Sequence, residues 1–524
     1  MQSIQTPLQA VLTSDTRQIR ISVKASWLKV QDPSIVFATV GASVVNGPDL
    51  VQGQSVVITN ADLYAYVDES EHAMRLDYDR RIDEPRGGTS HAIVNVLLDN
   101  INQRFTPNQN ATIGTAIEAR RPFKMSLGFR VGGIDRLVQI VTGLTGSKPK
   151  LGRTAKTVEV EVYDYITFID NATLAAAIYE NKRSDQIIEL ILADLGFGSS
   201  QYSLDQGINT IGFAWFDKDK SAGRRIRELC EAEEAHFYQD ENGIIRFENR
   251  NHYQNFPHQT VQRTIDAGDI LSDEDDESTK IINRAIVIAK PRKVDTQAAP
   301  LWSHATVEPI GAGETITLWA AFYDAETGSN KLPVKTISAP AATTDYTANS
   351  QEDGLGTDMT SDIAIVVTNF VESAKIQITN NALTATYLTF LQLQGLAARV
   401  SQAIQAVTED AGSINKYEAQ EYTVTNDLIQ TNAVAKSIAN NLVAKYADPM
   451  GRRKIRIPGI PHLQLKDLVY VVDPFAKNLI TNPSFEVTLD DWSLSYSGDV
   501  TATIARARDV PIEEGYFAAK ITVV

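Results

Sequence analysis

The hydrophobic pattern of residues 221–249 predicts a helix that is followed by a β-hairpin. Ile226, Leu229 and Cys230 recur at the three- and four-residue spacing of a single buried helical stripe. Their charged neighbours, among them Arg225, are expected to remain in solvent. The pattern therefore predicts an amphipathic helix in the first half of this segment.

The second half of the segment changes to a strand-like pattern. His236–Gln239 and Ile244–Glu248 are rich in aromatic and β-branched residues, and Asp240–Gly243 lies between them. Asn-Gly readily takes the positive φ values of a tight turn, so Asn242 and Gly243 predict a hairpin. Helix and hairpin together are typical of a scaffold element, because no reactive group stands out in them.

The N-terminal region, residues 1–170, is predicted to be mainly β. Its strand-like stretches are Gln18–Val23, Ser55–Thr59, Ala92–Leu98 and Thr157–Tyr163. Between them lies the polar, arginine-rich segment Arg75–Gly88, which we interpret as a long exposed loop or arm. Residues 171–260 are predicted to be helical before the hairpin. Ser184 is the expected N-cap of one helix and Gly196 its C-terminal glycine.

The remaining chain is predicted to return to β structure. Residues 261–300 and 396–477 are expected to form a second β region, which is interrupted by a small β module at 301–395. Within the module, Lys375–Thr379 and Tyr387–Leu393 alternate as the two strands of a hairpin would. Its 331–361 segment is rich in Pro, Gly, Ser and Thr and is expected to be an irregular connection.

Composition excludes several classes of protein. The 524 residues carry a formal net charge of −16, which argues against a nucleic-acid-binding protein that needs a basic face. No apolar run is long enough for a membrane span, and no secretory signal is visible. Cys230 is the single cysteine and is expected to be a buried small hydrophobe. No metal-ligand, nucleophile or cofactor motif stands out, so we expect no cofactor and no enzyme.

Two motifs resemble the baseplate-hub or tail-tip proteins of tailed bacteriophages. One is RELCEAEEAHFYQDENGIIRFENR at Arg227–Arg250, and the other joins Leu97–Asn100 to Arg104–Pro107. The resemblance implies a mainly β (α+β) fold with two hub-type β barrels, at 1–170 and at 261–300 with 396–477. The helix-plus-hairpin domain would lie between the two barrels.

The resemblance also implies an assembly. Three chains would form a trimeric ring that caps a tail tube at the tip of the virion, assembled in the host cytoplasm. The implied partners are the distal tail or tail tube protein, the tape-measure protein, and tail fibre or receptor-binding proteins. No specific nucleic acid is expected among them.

The C-terminal residues 478–524 have a different character. Asn478–Glu486, followed by Trp492, resembles the opening of galactose-binding-like carbohydrate-binding modules. The resemblance implies a partial jelly roll, and we expect that the module continues beyond Val524. Trp492 is a candidate contact for a host surface carbohydrate, although a core position is the alternative.

Two other functions remain open at this point. A carbohydrate-targeted protein that degrades cell wall or polysaccharide would require a catalytic constellation in residues 1–477, where none stands out. A bacterial surface adhesin would require export, for which no signal is visible. A structural hub needs neither feature.

Overall fold

The structure, a computed structural model, describes most of the chain between residues 19 and 523. The described ranges are 19–27, 66–81, 87–107, 109, 113, 117–255, 257–276, 280–324, 331–449, 451–472, 502–507 and 518–523. They form two compact units. The first contains residues 1–260, 274–454 and 459–467, and the second contains 261–273, 455–458 and 468–524.

The N-terminal region of the first unit is built of strands. They are β1 (Ile19–Ala25), β2 (Val67–Asp68), β3 (Ala73–Arg80), β4 (Gly88–Thr89), β5 (Ala92–Asp99), β6 (Pro122–Val131), β7 (Ile134–Thr145), β8 (Lys150–Gly152) and β9 (Thr157–Tyr163). Eight of them form one sheet in the order β2-β1-β6-β7-β9-β5-β3, with β8 paired to β9. The alternating side chains of β5 and β9 point valines into its core, as the sequence pattern predicted.

The prediction of a long exposed arm at Arg75–Gly88 was wrong for its first part. Residues 75–80 belong to β3, which pairs with β5 in an antiparallel ladder. Leu76 packs against the core of the sheet, whereas Asp77 and Asp79 alternate with it along the strand. Only one face of β3 is apolar, and the charged residues of the other face made the sequence look like a polar loop.

A helical segment follows the first sheet. Its elements are α1 (Tyr165–Asp170), β10 (Ala177–Arg183), α2 (Ser184–Asp194), β11 (Tyr202–Leu204), β12 (Thr210–Phe216), α3 (Ala222–Glu233), β13 (His236–Gln239) and β14 (Ile245–Glu248). Ile226, Leu229 and Cys230 of α3 are fully buried, which confirms the predicted stripe. Helix α2 begins at Ser184 with Arg183 as N-cap, one residue earlier than predicted.

The predicted hairpin is present, but its turn differs in detail. β13 and β14 pair in an antiparallel ladder from His236 opposite Glu248 to Gln239 opposite Ile245. Gly243 has a φ of 90°, whereas Asn242 is not among the residues with positive φ. The carboxylate of Asp240 accepts hydrogen bonds from the backbone N–H groups of Asn242 (3.0 Å) and Ile244 (2.9 Å). The turn therefore needs one left-handed residue and an aspartate, rather than two left-handed residues.

Arg225 is buried, which contradicts the expectation that it stays in solvent. None of its surface is exposed, and its guanidinium donates to the carbonyl oxygens of four residues. These acceptors are Leu174 (3.0 Å), Ala175 (2.9 Å), Asp217 (2.8 Å) and Lys220 (3.1 Å). Helical periodicity places Arg225 at the border of the apolar stripe, but only the surrounding loops supply the carbonyl groups that make burial favourable.

The rest of the first unit contributes both to this core and to a separate module. Outside that module, its elements after the hairpin are β17 (Arg284–Ala289), β27 (Ile404–Glu409), α4 (Ala411–Tyr417), β28 (Glu421–Thr425) and α5 (Asn432–Tyr446). β15 (Arg263–Ile265) and β30 (Val469–Val471) belong to the second unit, and β16 (Ser272–Asp276) and β29 (Arg452–Arg456) fall partly in each unit. β17 is the centre of a three-stranded sheet between β27 and β28. Val287 of β17 and Leu442 of α5 lie in the same hydrophobic core as Ile226 and Phe247. The predicted middle domain and the second β region therefore share one core.

The interrupting module contains two sheets around a core of its own. Its strands are β18 (Arg292–Val294), β19 (Ala299–His304), β20 (Glu308–Ile310), β21 (Thr315–Ala321), β22 (Val334–Ile337), β23 (Tyr346–Asn349), β24 (Ile363–Asn369), β25 (Ser373–Asn380) and β26 (Thr386–Val400). The long β26 pairs with β18, β19, β20, β22 and β23, whereas β25 pairs with β21 and β24. Ile376 and Leu391, one from each sheet, are both fully buried in the shared core.

Two predictions about the module were wrong. β25 and β26 lie in different sheets, so they do not form the predicted hairpin. Asn380 at the bend is fully buried, and its amide donates to the carbonyl oxygens of Ile310 (3.0 Å), Gly311 (3.0 Å) and Thr384 (2.8 Å). The 331–361 segment also contains β22 and β23, because its turn residues flank two short strands.

In the second unit, β15 pairs with β30 in parallel, and β31 (Ala502–Ala507) pairs with β32 (Ala518–Val523) in an antiparallel ladder. The predicted strand Ser55–Thr59 and the predicted jelly-roll opening with Trp492 lie outside the described residues. The mainly β fold class is confirmed. The two barrels and the exact domain boundaries remain predictions.

We expect Arg225→Met to lower the free energy of unfolding by about 3 kcal/mol or more, because four carbonyl groups lose their buried donor. Arg224→Met is the matched control, since the Arg224 side chain is 66% exposed. It should change the free energy by less than about 0.5 kcal/mol. Guanidinium unfolding of both variants measures the difference, and equal effects would contradict the structural role of Arg225.

Candidate functional site

The motif of Leu97–Asn100 and Arg104–Pro107 takes part in a buried ionic lock in the N-terminal sheet. Glu69 is fully buried and accepts hydrogen bonds from Arg104 at 2.7 and 2.8 Å through both carboxylate oxygens. The indole N–H of Trp27 donates to the same carboxylate at 2.9 Å. A two-pronged arginine contact and a third donor satisfy the carboxylate, which would otherwise be costly to bury.

The neighbouring motif residues hold Arg104 and its segment in place. The side-chain oxygen of Asn100 accepts from the backbone N–H of Phe105 at 2.9 Å, and its amide donates to the Thr106 hydroxyl at 3.0 Å. Phe105 is fully buried next to Trp27, with 5.8 Å between the ring centroids. The motif therefore has a structural function, and sequence reasoning missed its partner Glu69, which lies 35 residues away from Arg104.

The Arg227–Arg250 motif joins the N-terminal sheet to the helical segment. We call Thr142, Tyr165, Gln239 and Glu241 the sheet–hairpin junction. There the buried side-chain amide of Gln239 forms hydrogen bonds with backbone groups, as a neighbouring strand would. It accepts from the backbone N–H of Tyr165 and donates to the carbonyl oxygen of Thr142, both at 2.7 Å. The Thr142 hydroxyl donates to the carbonyl oxygen of Glu241 at 3.1 Å. All these contacts use backbone atoms, so they fix the hairpin against the sheet in a single register.

A short parallel pairing strengthens the same junction. β4 adds to the hairpin sheet, with Gly88 opposite His236 and Thr89 opposite Phe237. A Cβ atom at Gly87 would lie 2.3 Å from the carbonyl oxygen of Ala235, so the close approach requires glycine. The Arg75–Gly88 segment therefore supplies an edge strand and a connection to the hairpin.

A polar cavity of about 340 Å³ lies at the N-terminal end of α3. Asp170 in its wall pairs with His91 at 3.1 Å and with Arg227 at 3.2 Å. The hydrogen bond to Asp170 raises the pKa of His91. The Ser221 hydroxyl caps α3 by accepting from the backbone N–H of Arg224, so it is not poised as a nucleophile for the His91–Asp170 pair. The cavity residues connect β5, α1 and α3.

Three histidines that are dispersed in the sequence come together beside the hairpin. The rings of His252 and His258 lie 4.9 Å apart, and both contact Tyr253; His236 lies 6.3 Å from Tyr253. His252 binds Asp205 at 2.7 Å, and this bond raises the pKa of His252. No group of side chains suited to a metal ion occurs among the described residues, so the cluster gives no evidence of a metal site.

A second titratable cluster connects the β module to the end of β12. Glu372 is 8% exposed, and one of its carboxylate oxygens has no hydrogen-bond partner. Burial raises the pKa of Glu372 to about 7, and the charge of Asp217 adds to the effect. Lys331 lies between the acids and pairs with Asp217 at 3.5 Å and with Asp219.

The single residue proposed from the sequence as a binding contact, Trp492, lies outside the described residues. None of the helices in the described part of the chain has the length and apolar character that crossing a membrane requires.

Comparisons with known proteins returned three solved structures of interest. The 43 kDa tail protein of prophage MuSo2 from Shewanella oneidensis is 10% identical, with 76% of this chain and 88% of that chain covered and a TM-score of 0.37. A tail protein from Neisseria meningitidis MC58 is 8% identical, with 72% and 96% covered and a TM-score of 0.32. The E. coli c3393 protein, a type VI secretion component described as similar to the T4 tail proteins gp27 and gp5, is 10% identical, with 61% and 77% covered and a TM-score of 0.23.

The first two structures are described as tail proteins, and the third as similar to tail proteins. All three TM-scores are below 0.5, so we draw no conclusion about function from the similarities themselves. No family model and no curated protein matches the sequence.

We expect Glu69→Gln to lower the free energy of unfolding by about 2 kcal/mol, because Arg104 and Trp27 lose a charged acceptor. Glu71→Gln is the control, since the Glu71 side chain is 81% exposed and two residues away. Its effect should be below about 0.5 kcal/mol. The two variants are compared by their urea unfolding midpoints. A Glu69→Gln midpoint equal to that of the parent would contradict a stabilising role of the buried ionic lock.

A second prediction concerns the pH dependence of stability. The raised pKa of Glu372 means that its contribution to stability is present below its ordinary value of 4.5 and is lost as the pH rises through about 7. Glu372→Gln should therefore be more stable than the parent at pH 8 and similar to it at pH 5. Glu352→Gln, at an exposed position, is the control. A parent-like pH profile for Glu372→Gln would contradict the prediction.

Proposed function

We propose that this chain is a structural hub protein of the tail tip or baseplate of a tailed phage or a related injection machine. The observation that carries the proposal is the position of the two hub-like motifs. One closes the buried lock around Glu69, and the other fixes the hairpin to the sheet through Gln239. One of the motifs thus stabilises the N-terminal sheet from within, and the other joins that sheet to the shared core.

The finer features of the proposal follow from the family resemblance. Three chains, each with two similar β barrels, would form a ring of quasi-six-fold symmetry that caps a tail tube. The tube or distal tail protein, the tape-measure protein and host-binding fibres are the proposed partners. We also propose the domain division 1–170, 171–260, 261–300 with 396–477, 301–395 and 478–524, with Trp492 as a candidate sugar contact.

Charge is consistent with a tail conduit. A net charge of −16 disfavours retention of DNA, because binding phosphates requires cations on the protein. The buried positions of Arg225 and Cys230 serve packing, and a ring held by contacts between chains requires no reacting group. The proposed role is therefore mechanical, with no catalytic step.

The test is the assembly state of the full chain. We expect the purified protein to have three times its 57.6 kDa chain mass in light scattering at micromolar concentration. End-on particle images should show six similar lobes around a central axis. A monomer at every concentration, both alone and with the cognate tail tube protein, would contradict the proposal. Release of reducing sugar from cell walls would favour the enzymatic alternative.

A further inference from the structure

The β module presents an open sheet face whose composition differs from the rest of this acidic chain. The sheet of β21, β25 and β24 covers the module core with one face, through Ala320, Ile376 and Ile378. Because side chains alternate along a strand, the intervening positions form the opposite face. The edge-strand positions of that face, such as Thr317 and Thr368, are exposed.

Aromatic rings form one end of this face. Trp319 lies opposite Lys375 in the ladder, and its ring stacks on Phe370 with centroids 5.9 Å apart and planes 29° apart. Both aromatic side chains are only partly buried. A hydrophobic core does not explain the pair, because Ala320, next to Trp319 in the strand, points into the core instead.

The remainder consists mostly of uncharged polar groups, and Ala364 and the exposed Val366 of β24 are its apolar positions. Thr317 lies opposite Gln377, and Thr315 opposite Thr379, with their two hydroxyl oxygens 2.8 Å apart. Three strands and three rows of side chains span about 10 Å by 14 Å. Hydroxyl and amide groups both donate and accept hydrogen bonds, so this grid can pair with a ligand that consists of hydroxyl groups.

Charge complementarity selects the class of ligand. Among the described residues of the three strands, Lys375 is the single charged side chain on the open face and none is a carboxylate, although the chain has 65 acidic residues. A polycation finds no partner on this face, and the net charge of −16 repels polyanions. An uncharged polymer encounters neither obstacle. A pyranose offers C–H groups to the aromatic face and hydroxyl groups to the polar grid.

We propose that the open face of the β21-β25-β24 sheet binds a neutral polysaccharide. A sugar ring stacks on Trp319, Lys375 donates to a hydroxyl or ring oxygen, and Thr317 and Gln377 bind the next ring. The site is separate from Trp492 and does not depend on the ring assembly proposed above. It gives the inserted module a role in recognising a glycan surface.

The experiment is affinity electrophoresis of the full chain in native gels that contain dextran, mannan, galactan or mixed-linkage β-glucan. The parent should be retarded by at least one of these polymers, equally at about 50 mM and about 500 mM salt, because neutral contacts are not screened. Trp319→Ala should weaken the retardation about tenfold. Trp302→Ala, on the other sheet of the module, is the matched control and should bind as the parent does.

A second pair of variants covers the case in which Trp319→Ala unfolds. Thr317→Arg places a bulky side chain on the exposed face and should abolish retardation, whereas Thr336→Arg, at an exposed position on the other sheet, should not. The proposal is overturned if none of the four polymers retards the parent, or if hyaluronan or polyglutamate retards it in a salt-sensitive manner. It is also overturned if Trp492→Ala abolishes binding while Thr317→Arg retains it.

Discussion

Buried side-chain amides that pair with backbone groups are the interaction on which the joined structure depends. Gln239 bonds to Tyr165 and Thr142 where the hairpin meets the first sheet. Gln430 does the same for β12, accepting from the backbone N–H of Phe213 at 2.9 Å and donating to its carbonyl oxygen. A buried backbone group left without a partner costs about 1–3 kcal/mol. One amide provides both a donor and an acceptor, so it can close a strand edge where no further strand is present.

These contacts join segments that are distant in the sequence. Gln430 and Phe213 are 217 residues apart, yet their segments share one hydrophobic core. Each polar joint is surrounded by apolar packing, and opening it exposes both the amide and the backbone group. The module of residues 292–400 has a core of its own, so its open face can diversify without disturbing this frame.

Fully buried charged side chains also stabilise the structure when all their hydrogen-bonding groups have partners. Arg225 and Glu69 are both fully buried, but each has at least three hydrogen bonds to fixed partners. Glu372 shows the opposite case, because one of its oxygens is unpaired and its pKa is raised to about 7. The contrast indicates that the first two are structural parts of the frame, whereas burial favours the protonated form of Glu372.

The sequence by itself determined the elements whose signal is local. The period-two pattern of Thr157–Tyr163, the stripe of α3 and the hairpin after it follow from residues that are neighbours in the chain. Tertiary structure alone decided that β25 and β26 belong to different sheets and that Glu69 partners the Arg104 motif. The alternation of apolar and polar residues determines which face of a strand is buried. It does not determine which strand pairs with it, because any strand edge offers the same backbone donors and acceptors. The choice between these equal edges depends on packing across the core, which brings together residues far apart in sequence.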